Sequence, residues 1–197
     1  MASMILETII TSVDEQGNVH VTPFGIRMEN NLVVISPYKP SATLNNILAT
    51  KCAVMNLTDD VRVFAAAFAR RQAWEVLPTD HVLGFRLANT LAHKELKLIK
   101  VEDHPLRPKL FLEVAHAEQH HAFQGFNRAQ AAVVELSILA SRLERLPKEK
   151  VMTERAYLQI AIDKTAGGRE LEAWAWLVDK IDSFYAEQTN SEGTMYA

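Results

Sequence analysis

The chain has 197 residues, of which 48% are apolar and 23% charged, the make-up of a folded globular protein, and this excludes a largely disordered one. Its 21 Lys and Arg against 24 Asp and Glu give a formal charge of -3, so neither nucleic acid nor an anionic membrane is an expected partner. Cys52 is the only cysteine, which excludes an intramolecular disulfide framework or a cysteine-rich metal site and suits a reducing, cytoplasmic setting.

Residues 1–6 carry no basic region and no apolar run of membrane-spanning length, so no targeting signal is read there. Glu7 to Val13 is mostly β-branched and apolar, and Asp14-Glu15-Gln16-Gly17-Asn18 supplies a turn with glycine available for positive φ. A return strand, Val19 to Met28, meets a second turn at Glu29-Asn30-Asn31. Leu32 to Ile35 follows as an unbroken apolar run, the pattern of a strand buried on both faces. Pro37 and Pro40 stop it, and Ser41 is placed to cap a short helix, Ala42 to Ala49, before strand character resumes at Cys52 to Leu57. A second short helix is predicted from Val61 to Arg70, with Arg70-Arg71 at its favourable end, and is expected to cover a barrel end. Trp74 to Leu83 reads as loop. Phe85 to Ala88, Glu95 to Val101 and Leu110 to Ala117 read as strands.

The last third changes character. Asn127-Arg128-Ala129-Gln130 resembles a capping box, and Val133, Leu136, Leu139, Ala140, Leu143 and Leu146 recur at helical spacing until Pro147. Val151, Leu158, Ala161 and Ile162 mark a second helix closed by Gly167-Gly168. Leu171, Trp174, Leu177, Val178, Ile181 and Phe184 stripe a third, and the polar segment from Thr189 reads as a frayed tail. Strands first and helices later predict an α+β protein whose opening strands are antiparallel. The expected division is 1–125 for the barrel domain, 126–188 for a three-helix section and 189–197 for the tail.

Ser36-Pro37-Tyr38-Lys39-Pro40-Ser41-Ala42-Thr43-Leu44-Asn45-Asn46 concentrates an ammonium, several hydroxyls and two amides between a buried strand and a helix start. Free N–H groups at the helix N-terminus aim partial positive charge at the loop, Ser41 and Thr43 can donate to phosphate oxygens, and Lys39 adds a full charge. The plainer reading is that Ser41 is only an N-cap, Lys39 is solvated and the asparagines belong to turn and helix surface.

The stretch ISPYKPSATLNNILATKCAVMNLTDD resembles the flavin-reductase-like branch of the FMN-binding split barrels, where a strand, a Lys/Ser/Thr-bearing turn, a Thr-x-x-Asn helix and a strand ending Val-x-Asn follow one another. ETIITSVDEQGNVHVTPFGIRMENNLVVISP resembles that family's first hairpin, whose small-residue and proline turn lies near the flavin ring. With the helix FNRAQAAVVELSILASRL, the order of motifs is similar to an uncharacterised split-barrel family of methanogens and methylotrophic bacteria, over nearly the whole chain. The resemblance implies FMN as cofactor, with Lys39, Ser41 and Thr43 holding the phosphate and Ser36 in the same loop. It implies Asn46 supporting ribityl or phosphate oxygens, Asn56 at the end of the neighbouring strand, Tyr38 stacking or edging on the ring, and Thr22, Pro23, Phe24 and Gly25 beside it. It also implies a homodimer with flavin near the subunit interface, and a flavin-dependent oxidoreductase acting on a small molecule or pterin-like cofactor. A non-catalytic flavin-binding or interaction module is the alternative. No nicotinamide-binding motif is evident.

His116, His120 and His121 cluster with Glu113 and Glu118, and alternate residues 116, 118 and 120 would share one strand face. Two imidazoles and a carboxylate are a metal-ligating set, yet histidines on partly buried strands are commonly satisfied by hydrogen bonds and no helix-borne zinc spacing is present. The expectation is therefore no metal, with His120 or His121 as the candidate acid or base. Asp59-Asp60 reads as capping of the second helix.

Overall fold

A computed structural model of the chain describes residues 4–69 and 74–194, so the expected helix end at Arg70-Arg71 lies outside the described residues. β1 (Leu6–Val13) and β2 (Val19–Glu29) form an antiparallel hairpin in register from Leu6 opposite Ile26 to Val13 opposite Val19. Its turn is built by Asp14, whose Oδ1 accepts from the amides of Gln16 (2.9 Å) and Asn18 (2.8 Å) while Gly17 takes φ 84°. Asn30 and Asn31, at φ 51° and 66°, make the second turn into β3 (Leu32–Ile35). Two successive positive φ values match the right-handed twist of the strands, and asparagine tolerates them best after glycine.

α1 (Ala42–Thr50) leads to β4 (Cys52–Leu57), and β7 (Ala92–Glu102) and β8 (Lys109–Gln119) form the longest hairpin. The six strands close into a barrel in the order β1-β2-β3-β8-β7-β4. Ile10, Ile26, Ile35, Leu96, Leu110 and Leu112 are fully enclosed in its core, and α1 adds Leu44 and Ile47 to the same cluster. Each such side chain contributes about 1.5–3 kcal/mol through removal from water. Between β4 and β7 lies a separate two-stranded sheet, β5 (Val76–Pro78) with β6 (Phe85–Leu87). The loop expected from Trp74 to Leu83 is thus corrected: proline is tolerated at Pro78 because β5 is a three-residue edge with one neighbour.

A second compact unit comprises residues 60–72 and 124–197, the barrel unit being residues 1–59 and 73–123. This modifies the division expected at 125/126. α2 (Arg62–Ala69), drawn from within the barrel sequence, belongs with α3 (Arg128–Ala140), α4 (Lys148–Thr165) and α5 (Gly168–Thr194), because Val61 and Ala65 join the cluster of Val133, Leu136, Leu177 and Ile181. Asp60 caps α2, its Oδ1 3.2 Å from the Arg62 amide. Asn127 caps α3 through the amides of Ala129 and Gln130. α3 stops at Ala140 rather than running to Pro147. The Ser141 hydroxyl bonds back to the Ile138 carbonyl and the chain tightens into turns, while Leu143 remains buried. Gly168 opens α5 rather than closing α4, and the Gly167 amide donates to Glu170 Oε2 at 2.9 Å. Residues 189–194 continue α5, where a frayed tail was expected, since extending an anchored helix gains a hydrogen bond per residue.

Candidate functional site

The N-terminus of α1 is fixed by Ser41, which is extended at φ -149° and accepts from the Leu44 amide at 3.3 Å through its hydroxyl. Its carbonyl accepts from the Asn45 amide. Two residues inside, Thr43 is 1% exposed, and its Oγ1 has no hydrogen-bond partner among the described residues. Burying a hydroxyl unpaired costs roughly 1–3 kcal/mol. A phosphate oxygen would answer it at the one place where the helix also presents unpaired amides and its positive dipole end. The residues present fit such a group.

The loop before α1 is held by a second loop that sequence reasoning missed. Arg107 Nε donates to the Ser36 carbonyl at 2.8 Å, its guanidinium lies 4.7 Å from the centre of the Tyr38 ring, and the Lys39 amide donates to the Leu106 carbonyl. The contact of Arg107 with the Tyr38 face is a cation–π pair. Lys39 Nζ pairs with Asp103 at 2.9 Å, and that hydrogen bond holds the Asp103 carboxyl below its ordinary range. Ser36 and Arg107, with Arg27, Glu29, Val34 and Lys109, line a cleft of about 340 Å³ in which cations outnumber the one carboxylate.

Thr22, Pro23, Phe24 and Gly25 lie in the middle of β2, within the return strand read from Val19 to Met28, and all are half-buried. From Val19 to Ile26 this strand pairs with β1 alone, β3 joining only at Arg27. Pro23, which has no N–H, is accommodated by that one-sided ladder. Gly25 is required by close approach: an added Cβ would sit 2.8 Å from Ile5 Cγ2. Asn46 is buried and donates to Ser12 Oγ at 3.1 Å. Asn56 is wholly enclosed, donating toward the Ile9 carbonyl and Thr11 Oγ1 and accepting from the Leu87 amide at 2.8 Å, so its amide ties β4 to β1 and β6.

At the far end of the β7–β8 ladder the histidines separate into two groups. His93, opposite Glu118 across the ladder, meets His120, and Glu95, opposite His116, meets His81 and His116; Glu113 and His121 belong to neither group. His93 and His81 were missed, because only strand pairing and a loop bring them there. Burial would raise the Glu95 carboxyl, but the amides of His81 and Val82, each 2.8 Å from Oε2, together with the His93 ring, hold it below the usual range. Burial, with Arg86 next, lowers the His120 imidazole against the pull of Glu118.

The six-stranded antiparallel barrel, with a capped helix between its third and fourth strands, has the split-barrel fold. The chain belongs to the family described as protein of unknown function DUF447, matching its N-terminal domain over residues 6–121 and its second part over 127–179. Among solved structures, it is similar to an FMN-bound protein of that family from Methanosarcina mazei, 20% identical, TM-score 0.77, covering 91% of this chain and 96% of that one. It is also similar to nitrilotriacetate monooxygenase component B from Mycobacterium thermoresistibile (20% identical, TM-score 0.52, 60% and 70% covered). Flavoredoxin from Methanosarcina acetivorans resembles it at 12% identity (TM-score 0.53, 61% and 73% covered). No curated protein matches the chain. No helix among the described residues is long and apolar enough to cross a membrane.

Proposed function

We propose that this chain binds FMN with its phosphate at the N-terminus of α1 and acts as a flavin-dependent oxidoreductase on a small molecule or pterin-like cofactor. The observation that carries the reading is the buried Thr43 hydroxyl, without a partner among the described residues and two residues from the Ser41 cap. The FMN in the M. mazei protein of the same fold supports it. Lys39 and the first amides of α1 would neutralise the phosphate, and the unpaired edge of β2 at Thr22 to Gly25 offers backbone groups to a flat ring. Asn56, engaged inside the barrel, stands outside this set. The flavin when bound would supply the hydride or electron chemistry; the chain's residues bind and orient it.

Purified protein is expected to be yellow or to take up added FMN. A Thr43→Val, Lys39→Ala double variant is expected to bind FMN at least tenfold more weakly, equivalent to about 1.4 kcal/mol. Unchanged affinity would move the phosphate elsewhere. Bleaching of the bound flavin by a reduced donor, followed by reoxidation in air, supports the oxidoreductase; colour that no donor bleaches makes the protein a flavin-binding module. The homodimer belongs to the same proposal and is checked by light scattering of the flavin-loaded chain.

A further inference from the structure

At the polar end of the β7–β8 ladder two histidines converge with carboxylates on either side. His93 is 3% exposed and has both ring nitrogens in contact. Its Nε2 lies 3.5 Å from Glu95 Oε1, and its Nδ1 lies 2.9 Å from His120 Nε2. Glu95 is fastened by two backbone amides through its other oxygen, so its Oε1 calls for the proton of His93 on Nε2. That leaves a lone pair on His93 Nδ1, directed at His120. The second nitrogen of His120 faces Glu118, 4.0 Å away. A proton shared between His93 Nδ1 and His120 Nε2 closes their 2.9 Å contact, and a metal ion that displaced it would find both nitrogens as ligands.

We propose that His93 Nδ1, His120 Nε2 and a carboxylate oxygen of Glu118 form a site for one divalent first-row transition-metal ion. One ligand atom from each of these residues lies within 4.8 Å of the others. An ion about 2.0–2.2 Å from each must sit beside the 2.9 Å line joining the two nitrogens, so binding requires the His120 ring to turn and the 56% exposed Glu118 side chain to close. Two imidazoles and a carboxylate suit zinc or iron(II) rather than calcium or magnesium. The positions are set by the fold. His93 faces Glu118 directly across the ladder, and the amides of His120 and His121 both donate to the Leu91 carbonyl, at 2.8 and 3.0 Å. Glu95 is a positioning residue: a buried carboxylate on the far nitrogen of a ligating histidine fixes its tautomer and raises its basicity. His81 and His116, stacked at 4.1 Å between ring centres, gather on the other side of Glu95, whose oxygens are already engaged by the two amides and His93. With three protein ligands, the ion keeps a position open to water or substrate.

The test is titration of the chelator-treated full chain with zinc chloride by calorimetry, with metal content measured after gel filtration. One ion per chain is expected, and cobalt(II) in its place should give visible bands of a four- or five-coordinate site. His120→Ala and Glu118→Gln alter partly or largely exposed side chains, and circular dichroism checks their folding. Each should weaken zinc binding at least tenfold, and Glu95→Gln, which removes no ligand, by roughly 10–100-fold. No zinc uptake by the folded wild-type chain, or uptake unchanged in a His120→Ala, Glu118→Gln double variant, would overturn the site.

Discussion

The N-terminus of α1 and the far end of the β7–β8 ladder both bury polar side chains in the barrel unit, but in opposite states. Thr43 keeps a buried hydroxyl with no partner among the described residues, whereas Glu95 receives two amides and a histidine. The first place is short of an acceptor or donor from outside. The second is tightly wired, its carboxylate held by two amides and a histidine ring. A ligand at the first would supply a missing hydrogen bond, and one at the second would displace a proton from between two nitrogens 2.9 Å apart.

The sharpest way to break this contrast is to remove the well-satisfied group. Glu95→Ala leaves the amides of His81 and Val82 unpaired, and chemical denaturation should report a loss of about 3 kcal/mol. Thr43→Val, by contrast, removes a hydroxyl that lacks a partner, so the ligand-free chain should gain up to about 1 kcal/mol in the same measurement while its FMN affinity falls. A matching loss of stability in Thr43→Val would mean that the hydroxyl is already satisfied. Ser41→Ala, which deletes the cap, should cost about 1 kcal/mol. Acid adds a gentler probe. The Glu95 carboxyl is held below its ordinary value of 4.5, so its contribution is present above that pH and is lost as pH falls through the lowered value. The wild-type melting temperature should therefore drop more steeply below pH 4.5 than that of Glu95→Gln. Smallest of all, Asp103→Asn releases Lys39 from its exposed partner and should tighten FMN binding only a few-fold, more at low salt.

Features read from neighbours in sequence were legible. Asp14 to Asn18, Asn30-Asn31, the Ser41 cap and the Asn127 cap are local hydrogen-bonding devices, and each stands where its residue types put it. The first strands and α1 followed from period and turn chemistry for the same reason. What was hidden depends on partners distant in the chain. Arg107 sits in an unremarkable hairpin loop and reaches Ser36 from 71 residues away. His93 reads as an isolated histidine until β8 is laid beside it in register with Glu118. β5 was concealed by Pro78, and α3 ended early because a serine hydroxyl competed for a helix carbonyl that apolar spacing does not register.

The interleaving of the two units through α2 bears on how the molecule can be cut and how it is made. A fragment ending near residue 125 carries Val61 and Ala65 without the helices that enclose them, and would emerge from expression with a sticky segment looped out between β4 and β5. During synthesis that segment waits for nearly sixty further residues, the interval from α2 to α3, before its partners leave the ribosome. Excision of the helical section as a cassette is thereby discouraged, and any shortened version that remains soluble would need residues 60–72 redesigned as well.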